Sequence, residues 1–133
     1  MLDQLEKLNL RHKTVVILFG DHAYHLGEKG KWSKHNSLFE VACRVPMFVC
    51  LPGGDSGQAS PRTVQLLDIY PTLCELAGVP LSEKTRAQLE GVSFAPLLRE
   101  PGRAWKQAAF SWWNNAGVTI ITPDYTFTDW PSG

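Results

Sequence analysis

The 133-residue sequence has no surplus of charge: 13 Lys and Arg balance 13 Asp and Glu, for a formal net charge of zero. A nucleic-acid binder gathers Lys and Arg into a basic footprint, and the balance here sets that class aside. Long apolar runs are missing too. The longest strongly apolar stretch is residues 15–19, far short of the roughly 20 residues a membrane-spanning helix needs. The first seven residues mix acids and bases and lack the apolar centre of an export signal. Cysteine is scarce: Cys43, Cys50 and Cys74 stand at wide, irregular intervals with no CxxC, which gives no support to a structural zinc site or a thioredoxin-like motif. Their apolar neighbours suit buried thiols that pack as small hydrophobes, and one disulfide among them stays open. What remains is ordinary globular composition, 44% hydrophobic and 20% charged, against intrinsic disorder. The length fits one domain, or a domain plus part of another.

Leu2, Leu5 and Leu8 recur at helical spacing and predict the last turns of an amphipathic helix. Thr14-Val15-Val16-Ile17-Leu18-Phe19 is a continuous, largely β-branched run, suited to a strand covered on both faces in a parallel sheet. Helix, short turn and buried strand make half of a βαβ unit, so the fold class reads as α/β. Residues 20–37 form a polar, glycine-bearing loop, and a loop of that length inside a compact domain is more often functional than idle. Residues 45–51 return as a second apolar strand with Pro46 at its start. Residues 52–57 then turn the chain. Val64-Gln65-Leu66-Leu67 reads as a short strand. Asp68 is placed as N-cap of a helix reaching Ala77, with Pro71 in its first turn and Gly78 beyond its end. Phe94, Leu97 and Leu98 offer one more helical turn. Residues 108–113, 118–122 and 125–128 read as strands of an antiparallel meander, joined by Asn114-Asn115-Ala116-Gly117 and Pro123-Asp124. The chain closes on Trp130-Pro131-Ser132-Gly133. This divides it into an α/β part, residues 1–100, and the start of an antiparallel subdomain, residues 101–133, with both ends expected to be cut.

The chemistry concentrates in Gly20-Asp21-His22, Leu26-Gly27-Glu28 and Trp32-Ser33-Lys34. Asp21 and His22 directly follow a strand, and in open α/β sheets ligands bind at the carboxyl ends of strands. A carboxylate beside an imidazole can ligate one metal ion, though ligand type leaves its identity open between hard ions and transition metals. Lys29, Lys31, Lys34 and His35 crowd downstream, and a lysine ammonium is a compact charge that can neutralise an oxyanion oxygen. An ordinary strand-end turn followed by a solvated loop accounts for the same residues.

The run Gly20-Asp21-His22-Ala23-Tyr24-His25-Leu26-Gly27-Glu28, with Trp32-Ser33-Lys34 and Arg44-Val45-Pro46-Met47, closely resembles the second signature region of type I sulfatases. Asp68-Ile69-Tyr70-Pro71-Thr72-Leu73 with Ala77-Gly78 resembles the strand-to-helix segment that follows in that family. The likeness is nearest to the iduronate-2-sulfatase-like group and covers about residues 1–100. It implies an alkaline-phosphatase-like sulfatase fold, a mostly parallel sheet flanked by helices, and hydrolysis of sulfuric esters. Asp21 and His22 match the family's late pair of metal ligands, the metal being Ca2+, and Lys34 matches the lysine that contacts the sulfate group. The implied substrate is a small sulfate ester or a sulfated saccharide such as a glycosaminoglycan. Trp112 and Trp113 are candidates to stack on a sugar ring, with packing of the meander as the alternative. His25 is expected to be an ordinary loop histidine, and Glu28 and Glu40 to pair with nearby Lys or Arg.

The departures from the family pattern are specific. Sulfatases convert a Cys or Ser in a C/S-x-P-x-R motif to formylglycine, the nucleophile. Cys50-Leu51-Pro52 begins that pattern, but Gly54 stands where arginine is required, and no Asp-Asp supplies the early metal ligands. The resemblance therefore implies the C-terminal piece of a longer enzyme, inactive alone. A phosphodiesterase or phosphonate hydrolase of the same superfamily, or a non-catalytic binding module, are the alternatives. Full-length relatives are often secreted, periplasmic or lysosomal. Oligomeric state and localisation stay open.

Overall fold

Short helices and one pair of strands make up residues 1–98, and a β-meander follows over residues 109–129. The computed structural model describes residues 1–54, 57–114 and 117–130. Helix α1 (Leu2–Lys7) carries Asp3 in its first turn and Lys7 in its last, the charge order that favours a helix dipole. Strand β1 (Val16–Phe19) follows, then α2 (Glu40–Cys43), β2 (Met47–Cys50), α3 (Ile69–Leu76) and α4 (Glu83–Gln88). Strands β3 (Ala109–Trp113), β4 (Gly117–Ile121) and β5 (Thr126–Asp129) complete the order. The α/β class and the C-terminal meander are both present. Parts of the two expected turns (residues 55–56 and 115–116) and the last three residues lie outside the described residues.

One expectation fails in direction. Strand β1 pairs β2 antiparallel, with Val16 opposite Cys50 and Phe19 opposite Met47, not parallel to a neighbour. Nor is it covered on both faces: the cross-strand pair Leu18 and Phe48 is mostly exposed. An apolar β-branched run encodes that a strand can be buried, not which way its partner runs. Strand β4 is flanked by β3 and β5, both antiparallel. Phe110, Ile120 and Phe127 stand in one cross-strand row, and that face is open, while Ala109 and Thr119 on the other face are buried.

The segment read as a strand over 64–67 is instead extended backbone entering a 3-10 turn, Leu66–Asp68. Asp68 does not cap α3 with its side chain. Its carboxylate reaches back to the Gln65 N–H at 2.8 Å and across to the Val92 N–H at 2.9 Å, and accepts from the Lys106 ammonium at 2.6 Å. Below it, the Thr72 hydroxyl donates to the Asp68 carbonyl and accepts from the Phe94 N–H. Asp68 and Thr72 are fully buried beside Phe94, Ala95 and Leu97. The core is thus small and partly polar, and this network ties residues 65–72, 92–94 and 106 together.

The cysteines are free and half-buried instead of core residues. Cys50 accepts a hydrogen bond from the Arg11 guanidinium at 3.4 Å. Burial pushes the Cys43 thiol up from its ordinary value, and a hydrogen bond with Ser111 of β3 acts weakly the other way. Glu40 pairs with Arg44 at 3.0 Å one helical turn on, as its spacing predicts. Among the described residues Glu28 pairs with no cation: its carboxylate accepts from the Leu26 N–H at 2.6 Å.

Candidate functional site

Strand β1 ends at Phe19, and Gly20 continues the ladder with an N–H bond to the Pro46 carbonyl at 3.2 Å. Asp21 and His22 emerge immediately beyond. The Asp21 carboxylate accepts the His22 backbone N–H at 3.0 Å, and its other oxygen lies 3.5 Å from His22 Nε2. His22 Nδ1 sits 3.1 Å from the Ala23 carbonyl. A carbonyl only accepts, so Nδ1 carries the proton and Nε2 presents a bare lone pair. The Lys34 ammonium, twelve residues on, donates to that lone pair at 2.7 Å. The three residues singled out from the sequence therefore meet at one exposed point.

The donor set fits part of a metal site. A carboxylate oxygen and an imidazole nitrogen with its other nitrogen tied to a carbonyl are arranged as ligands usually are. Ca2+ takes six to eight oxygen ligands, and among the described residues no group of three or more His, Cys, Asp or Glu could hold a metal ion. Asp21 and His22 would be two contributors to such a site.

The loop that carries Lys34 back to His22 is built from internal bonds. Tyr24 donates to the Trp32 carbonyl at 2.9 Å, the His25 N–H to the Ser33 carbonyl at 3.4 Å, and the Gly27 N–H to the Lys31 carbonyl at 2.9 Å. Gly27 adopts φ +115°, a conformation that favours glycine, and its Cα faces the Trp32 ring, 3.3 Å from where a Cβ would stand. The Glu28 carboxyl is held below its ordinary range by the backbone N–H groups of Glu28 and Leu26.

His25 is the residue that sequence reading undervalued. Far from an ordinary loop histidine, it is fully buried. Its Nδ1 contacts the Glu28 carbonyl at 3.0 Å, its Nε2 the Ser37 hydroxyl at 2.6 Å, and its ring meets Phe39 edge-on. Nothing in the spacing marks it apart from the exposed His35. Lys106 was also missed, because its partner Asp68 is 38 residues away.

Trp112 and Trp113 are not brought into the cluster as a pair. Successive strand residues point to opposite faces; Trp112 is 70% exposed and Trp113 36%, so at most one can face a given ligand. A broad groove of about 840 Å3, lined by Phe39, Glu40, Arg44, Thr128 and Trp130 among others, includes none of Asp21, His22 or Lys34.

Residues 1–79 match the family described as Sulfatase. A sulfatase from Formosa agariphila is 38% identical over 88 residues, covering 66% of this chain and 17% of that protein. Among solved structures, a 2-O GAG sulfatase superposes with a TM-score of 0.79 at 24% identity, covering 98% of this chain and 30% of the other. A phosphonate monoester hydrolase from Silicibacter pomeroyi superposes with a TM-score of 0.81 at 18% identity, over 97% and 29%. At these identities the structural likeness is one of fold, the alkaline-phosphatase-like fold of the sulfatases. The chain spans about a fifth of the length of the curated relatives it matches. The match over more than half of its residues, with Asp21, His22 and Lys34 gathered at one point, places this chain in the sulfatase family.

Proposed function

We propose that this chain contributes the sulfate-binding end of a sulfuric ester hydrolase, with Lys34 as the anion contact and Asp21 and His22 as two ligands of a Ca2+ ion. The observation that carries the reading is the 2.7 Å approach of the Lys34 ammonium to the His22 Nε2 lone pair, with the Asp21 carboxylate alongside. A bound cation supplies charge that polarises sulfate oxygens. Lys34 is held by its loop rather than by burial, so its ammonium is free to turn from the imidazole to an anionic oxygen, and His22 Nε2 would then be available to a cation. Asp21 would offer a hard oxygen to such a cation, and the Nδ1–H bond to the Ala23 carbonyl keeps the His22 ring oriented. The sequence contains no C/S-x-P-x-R motif, and the nucleophile is proposed to come from outside these residues.

The finer substrate reading is a sulfated saccharide. A fold neighbour described as a 2-O GAG sulfatase supports it, and so does the exposed Trp32 ring, two residues from Lys34, as an amphipathic surface on which a sugar can stack. In the enzyme that contains these residues, Lys34→Ala should lower kcat/KM for a chromogenic sulfate ester by about 100-fold or more, the scale of losing one transition-state charge contact. An unchanged rate removes Lys34 from the site. The 133-residue chain alone should show no turnover and bind Ca2+ no tighter than roughly millimolar, as few ligands dictate; calorimetry measures the latter. The fold shared with a phosphonate monoester hydrolase favours one second reading. The same enzyme turning over a phosphonate monoester faster than a sulfate ester would establish it.

A further inference from the structure

We infer that His25 is a positioning residue, a buried pin that fixes where Lys34 stands relative to His22. The inference builds on the proposed reading of Lys34 as the anion contact.

Lys34 is an exposed side chain whose ammonium, among the described residues, hydrogen-bonds His22 Nε2. Its placement therefore depends on the backbone that carries it. His25 holds that backbone on both sides. One residue before Lys34, the Ser33 carbonyl accepts the His25 backbone N–H. Three residues after it, the Ser37 hydroxyl meets the His25 ring at 2.6 Å. On the other limb, His25 lies three residues beyond His22, and its Nδ1 bonds the Glu28 carbonyl at 3.0 Å. Both limbs of the loop thus meet at one imidazole.

The tautomer follows from the partners. The Glu28 carbonyl can only accept, so Nδ1 carries the proton, and Nε2 accepts from the Ser37 hydroxyl. With the ring fully buried and edge-on to Phe39 at 6.1 Å between centroids, both polar atoms are satisfied and the ring cannot rotate without leaving two buried groups unpaired. A loop of this length loses substantial chain entropy on ordering, and one rigid, doubly bonded ring is an economical way to hold it. Removing the ring releases the Ser37 and Glu28 tethers and leaves the limb held at Ser33 by the His25 backbone N–H alone, and the Lys34 ammonium loses its fixed place opposite the His22 lone pair.

The test uses the 15N-labelled chain with His25→Ala, His25→Asn, His25→Gln and Ser37→Ala. Asn places an amide N–H near the position of Nδ1, and Gln places an amide near Nε2, so each conserves one of the two bonds. Long-range imidazole 1H–15N spectra near neutral pH should show wild-type His25 with Nδ1 protonated. They should show the His22 Nε2 resonance displaced from the free-imidazole value by its hydrogen bond to Lys34. In His25→Ala the His22 Nε2 resonance should move to the value seen in Lys34→Ala, while the amide resonances of Thr72 and Phe94, far along the chain, stay in place. Asn, Gln and Ser37→Ala should fall between. A titration with inorganic sulfate then reads the consequence: His25→Ala should bind at least 10-fold more weakly than wild type.

A His22 resonance in His25→Ala identical to wild type overturns the inference, as does His25 protonated at Nε2 instead of Nδ1. Equal sulfate affinity in wild type and His25→Ala also overturns it. If wild type shows no sulfate response that depends on Lys34, the proposed anion contact fails, and the His22 resonance still decides the positioning role by itself. A loss in His25→Ala that neither Asn nor Gln recovers in part, accompanied by shifts at Thr72 and Phe94, reads as general unfolding and refutes a positioning role.

Discussion

Replacing Asp68 with Asn keeps the shape of the side chain and removes its charge, which makes it the sharpest probe of the buried network. The native carboxylate takes three hydrogen bonds: one oxygen from the Val92 N–H, the other from the Gln65 N–H and the Lys106 ammonium. An amide has one acceptor oxygen, so the better orientation keeps the two-donor side and turns an NH2 toward Val92. One buried N–H is then left facing a donor, at a cost of about 1–3 kcal/mol. Lys106, only 23% exposed in its side chain, loses its counter-ion as well. Removing one partner of a buried pair costs about 3–5 kcal/mol in total, and Asp68→Asn should fall in that range. Lys106→Met leaves the fully buried carboxylate with two backbone donors but no counter-ion, and should cost about 3–5 kcal/mol as well. Urea unfolding followed by tryptophan fluorescence measures both. Trp105, whose indole N–H bonds the Thr63 carbonyl, sits beside Lys106 as a local reporter. With a slope of about 1–3 kcal/mol per molar for a small protein, Asp68→Asn should lower the midpoint by a molar or more. Both variants within about 0.5 kcal/mol of wild type, the range of ordinary surface substitutions, would show that the network does not hold these three segments together.

A Cβ on Gly91 would overlap the Leu67 carbonyl oxygen, so Gly91→Ala should destabilise by about 1–3 kcal/mol, as overpacking does. Gly102→Ala, which meets open space, should change stability by no more than about 0.5 kcal/mol in the same urea assay. The Glu28 carboxyl lies below its ordinary value of 4.5 when folded, so the stability it lends the loop is complete above that value and fades as pH falls through the lowered one. An NMR titration of the Leu26 amide should therefore show a midpoint below 4.5 that vanishes in Glu28→Gln; a midpoint at or above 4.5 contradicts the assignment.

How far the residues announce this structure depends on the range of the signal. Both apolar runs, 14–19 and 45–51, are legible as strands because apolar density is a local signal, and the meander is legible because its turns are marked by Asn, Gly and Pro. The direction of the β1–β2 pair was not legible, since a run apolar on both faces suits either pairing. Val64-Gln65-Leu66-Leu67 has strand composition, yet the Asp68 carboxylate bonding back to the Gln65 N–H turns the chain into a 3-10 turn, a tertiary outcome because Lys106 and Val92 hold that carboxylate in place. At the site, Asp21, His22 and Lys34 could be named from spacing in a recognisable motif. His25 could not, because a histidine's value as a pin lies in a hydroxyl twelve residues away and in burial, neither of which a linear pattern records.

The ladder between β1 and β2 has a consequence for how this site can vary. Phe19 and Met47 are paired, and Gly20 bonds Pro46 just beyond them, so residues 20–46 leave and rejoin the sheet at adjacent points. Everything that gathers Asp21, His22 and Lys34 lies within that excursion, between two anchors that do not move if it lengthens. Closing a longer flexible loop costs little, about 0.6 kcal/mol for each doubling. Residues added within that excursion leave the strand register and the Asp68 network in place, provided the bonds of His25 to Glu28 and Ser37 and of Gly27 to Lys31 are kept.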